Sequence, residues 1–185
     1  MPHVPLVQGE PVDGLRHEAG GSPRGRKVRR TLRGKDTPAK IRGPGGAYLL
    51  LLSVLADTHI AVGKLGRLRF PAGNYAYVGS AMAGLEARLA RHFRRRKTIH
   101  WHIDHLLEKA TISGAVLFPS GKRGECALAR MVRAHPGAVA VPRFGSTDCG
   151  CPAHLFYLGK RPFGPLLLKL DRLKGQGKCP RPGGR

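Results

Sequence analysis

The sequence is poor in acidic residues: 11 Asp and Glu stand against 33 Lys and Arg, a formal charge of +22. Repulsion of that size calls for a polyanionic partner, because Lys and Arg that neutralise phosphates release condensed counterions. There is no run of about 18 apolar residues, so no membrane span is expected. The N-terminus also lacks the apolar core of a secretory signal. Cysteine is scarce. Four residues, two of them close together at Cys149 and Cys151, make no disulfide scaffold, and a reducing, cytoplasmic setting is the expectation. No internal repeat stands out.

What remains is enough for one domain of ordinary size, 185 residues with basicity spread along the whole chain. Residues 1–43 are rich in Gly, Pro and Arg, carry ten basic against four acidic residues, and lack apolar periodicity. They read as a flexible basic tail. Residues 160–185 repeat that composition with eight basic residues and one acidic, although Leu166, Leu167, Leu168 and Leu170 suggest a short docking turn. The folded part is expected at 44–159.

Within it, Gly46-Ala47-Tyr48 leads into the apolar run Leu49 to Leu55, short enough for a buried strand. Asp57-Thr58 and the glycines at 63 and 66 bracket two further short strands, His59 to Val62 and Arg67 to Phe70. A third pairing strand is expected over Tyr75 to Val78. Helical spacing follows over Leu85 to Lys97, then over HWHIDHLLEKA, where Ile103, Leu106, Leu107 and Ala110 should face the core. Ile112 to Phe118 reads as a strand, Glu125 to Ala134 as a helix stopped by His135-Pro136-Gly137, and Val139–Val141 and His154–Leu158 as closing strands. The predicted class is α+β, a small, mainly antiparallel central sheet flanked by helices.

The stretch from Asn74 to Lys97 carries the most chemistry. Tyr75 and Tyr77 share one strand face, a small-residue turn follows, and Leu85, Leu89 and Phe93 form one helix ridge beside the ridge Arg88, His92 and Arg95. A strand tyrosine, free N–H groups at a helix start and a row of cations suit a phosphate. The same residues would also serve an ordinary basic amphipathic helix packed on a strand.

With Gly46-Ala47-Tyr48 on one strand and Tyr77-Val78-Gly79 on another, the chain resembles the GIY-YIG nuclease family over roughly Gly45 to Gly145. It is most similar to a small uncharacterised branch whose pattern includes HWHID, FGS-x-DC-x-C and HLF. The resemblance implies a metal-dependent endonuclease acting on DNA in preference to RNA, in repair or structure-specific cleavage. It places Arg88 on the helix after the second tripeptide and Glu125 at the start of a later helix. Tyr48 would take a proton from water, Tyr77 would orient water or phosphate, Arg88 would clamp the phosphate, and His92 would relay a proton or bind the phosphate. Ser80, Arg91 and Arg95 would add phosphate contacts, and Glu125 would hold Mg²⁺ or Mn²⁺. Three departures stand out: Ala47 at the middle of the first tripeptide, Ser80 where excision-repair members often carry lysine, and Gly145 where an asparagine often closes the motif. About 28 residues separate Tyr48 from Tyr77, so His59 to Phe70 would be an added hairpin. The alternative is a nucleic-acid-binding module that keeps the fold without the chemistry.

Cys149-x-Cys151-x2-His154 offers two thiols and an imidazole at close spacing. Zinc would need a fourth ligand from Cys126 or from His100, His102 and His105; small buried thiols are the other reading. Trp101, the only tryptophan, is expected in the core, or stacked on an unpaired base.

Overall fold

A computed structural model describes residues 43–120 and 124–175; the basic segment 1–42 lies outside them. Five strands form an antiparallel sheet: β1 (Gly46–Val54), β4 (Gly73–Ala81), β5 (Ala110–Pro119), β6 (Val139–Ala140) and β7 (Leu155–Gly159). Their spatial order is β5-β1-β4-β7-β6. Between β1 and β4 the chain makes a separate hairpin, β2 (Thr58–Ala61) with β3 (Arg67–Phe70), in the place where an added hairpin is expected. Helices α1 (Leu85–Phe93), α2 (His102–Leu106), α3 (Glu125–Arg133) and α4 (Gly164–Gly175) complete the described fold.

The unbroken apolar run of β1 follows from its place inside the sheet. Tyr48, Leu50, Leu52 and Val54 point to a core shared with the hairpin, α1 and α2, while Ala47, Leu49 and Leu51 point to one shared with α3 and α4. A strand buried on both faces has no polar side to alternate with. The glycines of the two tripeptides have a steric reason. A Cβ on Gly46 would strike the Phe118 carbonyl oxygen of β5, and one on Gly79 would strike the Tyr48 hydroxyl and ring. Gly79→Ala is therefore expected to push Tyr48 aside and to cost about 1–3 kcal/mol, measurable by urea denaturation; an unchanged midpoint would contradict this packing.

Several boundaries differ from the sequence reading. The helix expected over HWHIDHLLEKA is confined to His102–Leu106, and Ala110, expected on its core face, opens β5 instead. The first strand carries Gly46-Ala47-Tyr48 as expected but ends at Val54, and Leu55 lies beyond it, 87 % exposed. Helix α1 stops at Phe93, four residues short of Lys97. The chain there turns extended at Arg94, and the Lys97 ammonium donates to the His92 carbonyl at 2.9 Å and lies 3.6 Å from Asp104. A buried carboxylate thus draws Lys97 back, and Arg95 leaves the ridge it would share with Arg88. Phe93, at the end of the expected apolar ridge, is 57 % exposed, whereas His92 is buried. Finally, residues 164–175 are not tail but α4. Leu166 and Leu170, four apart on one helix face, are buried against the sheet, and Leu168 stays outside. No helix among the described residues is long and apolar enough to cross a membrane.

Candidate active site

Strand register builds the site. Tyr48 of β1 pairs with Gly79 of β4, so its ring lies across a residue with no side chain; Tyr77, two positions earlier on β4, shares that face. The two rings stand 6.3 Å apart. Helix α1 leaves β4 after a short turn and is anchored by buried Leu85, which brings Arg88 and His92 over the tyrosines. Glu125 opens α3 on the other flank. Tyr48, Tyr77, Ser80, Arg88, Trp101 and Glu125 line one cleft of about 570 Å³. Residues from two strands, two helices and a loop therefore meet at one spot.

The Tyr48 hydroxyl lies 2.8 Å from His92 Nε2. Burial raises the Tyr48 pKa well above the usual phenol value, while the neighbouring Arg88 charge works in the opposite direction. Tyr77 is raised by burial in the same way. Burial, with Lys97 adding repulsion, lowers His92 to about 4, so its ring is neutral at pH 7. Its Nδ1 is buried with no hydrogen-bond partner among the described residues.

The His92 shift predicts an acid-sensitive fold. An unfolded histidine titrates near ~6.5, so between that pH and the folded value of about 4 the unfolded chain binds a proton that the fold refuses. Stability is then full above pH ~6.5 and declines as pH falls toward 4, by up to about 3 kcal/mol. His92→Gln should flatten the decline between pH 7 and pH 4.5 in denaturant titrations; an unchanged slope would show that another group controls it.

Arg88 is held in place by Trp101. Its guanidinium carbon stands 4.0 Å above the indole, and that of Arg91 stands 4.1 Å from the same ring. Arg91 is committed elsewhere. It donates two 2.9 Å hydrogen bonds to the Asp104 carboxylate and one of 2.8 Å to the Thr98 carbonyl. Arg95 lines a separate pocket beside Lys97 and Glu108. The structure thus brings Tyr48, Tyr77, Ser80, Arg88 and Glu125 together, seats His92 behind Tyr48, and keeps Arg91 and Arg95 away from the cleft.

Several lining residues lie outside the nuclease-like site that the sequence suggests, although their motifs stand out in it. The Gly145 N–H donates to His102 Nδ1 at 3.1 Å, which leaves the proton of the neutral ring on Nε2. Trp101 and His102 enter from the start of α2, and Asp148 and Thr147 from the loop before β7. Glu125 Oε2 is buried without a hydrogen-bond partner among the described residues.

Beside the cleft, Cys126, Cys149, Cys151 and His154 bring one ligand atom each to within 4.8 Å of one another, a set able to hold a metal ion. Of the candidate fourth ligands, Cys126 is the one that joins; His100 and His102 line the cleft instead.

No curated protein and no solved structure shows significant similarity to the chain. A family model described as a domain of unknown function, DUF123, matches residues 47–169, from the first strand of the sheet into α4. The chain belongs to that DUF123 family.

Proposed function

We propose that the cleft hydrolyses phosphodiester bonds of DNA with a divalent cation, Mg²⁺ or Mn²⁺. One observation carries the reading: Tyr48, Tyr77, Arg88 and Glu125, drawn from four separate elements, converge on a single cleft in which the Glu125 carboxylate keeps an unpartnered buried oxygen. A hard cation suits that oxygen, since Mg²⁺ takes one or two carboxylates and fills its other positions with water. Asp148 supplies a second carboxylate in the same cleft. When bound there, the cation would neutralise charge on the phosphoryl oxygens.

The protein's own groups do the rest. Arg88, braced on Trp101, presents a planar fork to two phosphate oxygens. Tyr48, its hydroxyl 2.8 Å from the Nε2 of neutral His92, would take the proton from the attacking water once the cation and the Arg88 charge draw its own ionisation down. His102 offers an Nε2–H donor for the phosphate or the leaving oxygen. The +22 charge favours a polyanionic substrate.

Incubating the full chain with labelled duplex, single-stranded and branched DNA plus Mg²⁺ or Mn²⁺ tests this. Cleavage that stops with EDTA is expected. Salt-sensitive binding that is indifferent to EDTA and gives no products would identify a binding module instead.

A further inference from the structure

The clustered cysteines lie outside the proposed chemistry, and their arrangement asks for its own account. Cys126 sits in the first turn of α3, next to Glu125. Cys149 and Cys151 flank Gly150 in the loop between β6 and β7, and His154 immediately precedes β7. Residues more than twenty positions apart in sequence therefore place three sulfurs and one ring nitrogen within 4.8 Å of one another. Four ligands at Zn–S distances of ~2.3 Å stand roughly 3.8 Å apart in a tetrahedron, and Cys149 Sγ is already 3.5 Å from His154 Nε2. His154 is buried and the three cysteines half-buried, which suits a closed site.

We infer that Cys126, Cys149, Cys151 and His154 form a closed, tetrahedral zinc site that ties the loop before β7 to the start of α3. Three thiolates and one imidazole select zinc over Mg²⁺ or Ca²⁺, which take oxygen ligands. The site carries a net charge of −1 when three thiolates meet Zn²⁺, and Arg130, one turn along α3 from Cys126, sets a positive charge near Cys151.

The loop needs such a tie. Its ends are held by backbone bonds, Arg143 N–H to the Pro152 carbonyl at 2.7 Å and His154 N–H to the Phe144 carbonyl at 2.8 Å. Between them, Ser146 is buried with its hydroxyl unpartnered among the described residues, and the Cys149 N–H reaches the Ser146 carbonyl at 3.4 Å. This loop delivers Thr147 and Asp148 to the cleft, while Cys126 adjoins Glu125. Zinc would thus fix both carboxylates from the wall of the cleft, which His154 also lines. The site stands on its own ligands, so it holds whether or not the cleft cuts DNA.

The test is metal analysis of the full chain purified without chelator. One zinc per chain is expected, lost in Cys149→Ser and in Cys151→Ser and kept in Glu125→Ala. If the cysteine variants fail to fold, Co²⁺ replacement in the wild-type protein decides: a tetrahedral thiolate spectrum, with intense visible bands, is expected. Removing the metal should also raise amide exchange across residues 145–151 and the first turn of α3. Protein that holds no zinc and gives no thiolate–cobalt bands, zinc that survives both cysteine substitutions, or a disulfide among these cysteines would each overturn the site.

Discussion

Glu125→Ala is expected to reduce cleavage by on the order of 10³-fold or more while leaving DNA affinity nearly intact. The size follows from the role. A cation beside the phosphate supplies several kcal/mol of transition-state stabilisation, and each ~1.4 kcal/mol is tenfold in rate. Affinity should survive because it arises from charge spread over 33 Lys and Arg. Removing Glu125 also removes a buried oxygen without a partner, so the fold should lose nothing. Single-turnover cleavage and binding measured on the same preparation separate the two effects. Cleavage that persists in the variant would remove Glu125 from the chemistry.

Asp104→Asn should cost about 3–5 kcal/mol of stability, the usual consequence of breaking a buried ion pair from one side. Asp104 is fully buried, accepts two hydrogen bonds from Arg91 and one each from the His100 and Trp101 N–H groups, and has the Lys97 ammonium 3.6 Å away. Burial resists its ionisation, but the Arg91 hydrogen bonds and the two backbone donors outweigh it and hold the carboxyl far below the usual range. A depressed carboxylate stabilises the fold above its unfolded value near ~3.9 and loses that contribution as pH falls further. Acid unfolding should then proceed in two windows, His92 first and Asp104 below it. The substitution would also free Arg91 from its place over Trp101, the ring that braces Arg88. A urea midpoint within error of wild type would contradict this central role for Asp104.

Much of the architecture is legible in the sequence because local signals agree with it. The run from Leu49 to Val54, the turn glycines before β3 and the Pro-Gly stop after α3 each act over a few residues. The end of α1 was not legible, since it depends on a carboxylate seven residues beyond Lys97 drawing the chain back. Helix α4 was hidden by its basic setting, where Leu166 and Leu170 are the buried leucines among the described side chains. The same division holds in the cleft. Tyr48, Tyr77, Arg88 and Glu125 sit in motifs whose order could be read, and the structure brings them together. Trp101, His102 and Asp148 reach the cleft through sheet register and loop placement, which no local spacing encodes. Arg91 follows the helix period beside Arg88, yet a buried partner claims it.

The most direct measurement is a crystal structure of the Tyr48→Phe variant with Mn²⁺ and a branched DNA, the metal located by its anomalous scattering. The account predicts Mn²⁺ on the Glu125 carboxylate, with a DNA phosphate between it and the Arg88 guanidinium. DNA bound across another face with the cleft clear of metal and phosphate would contradict it.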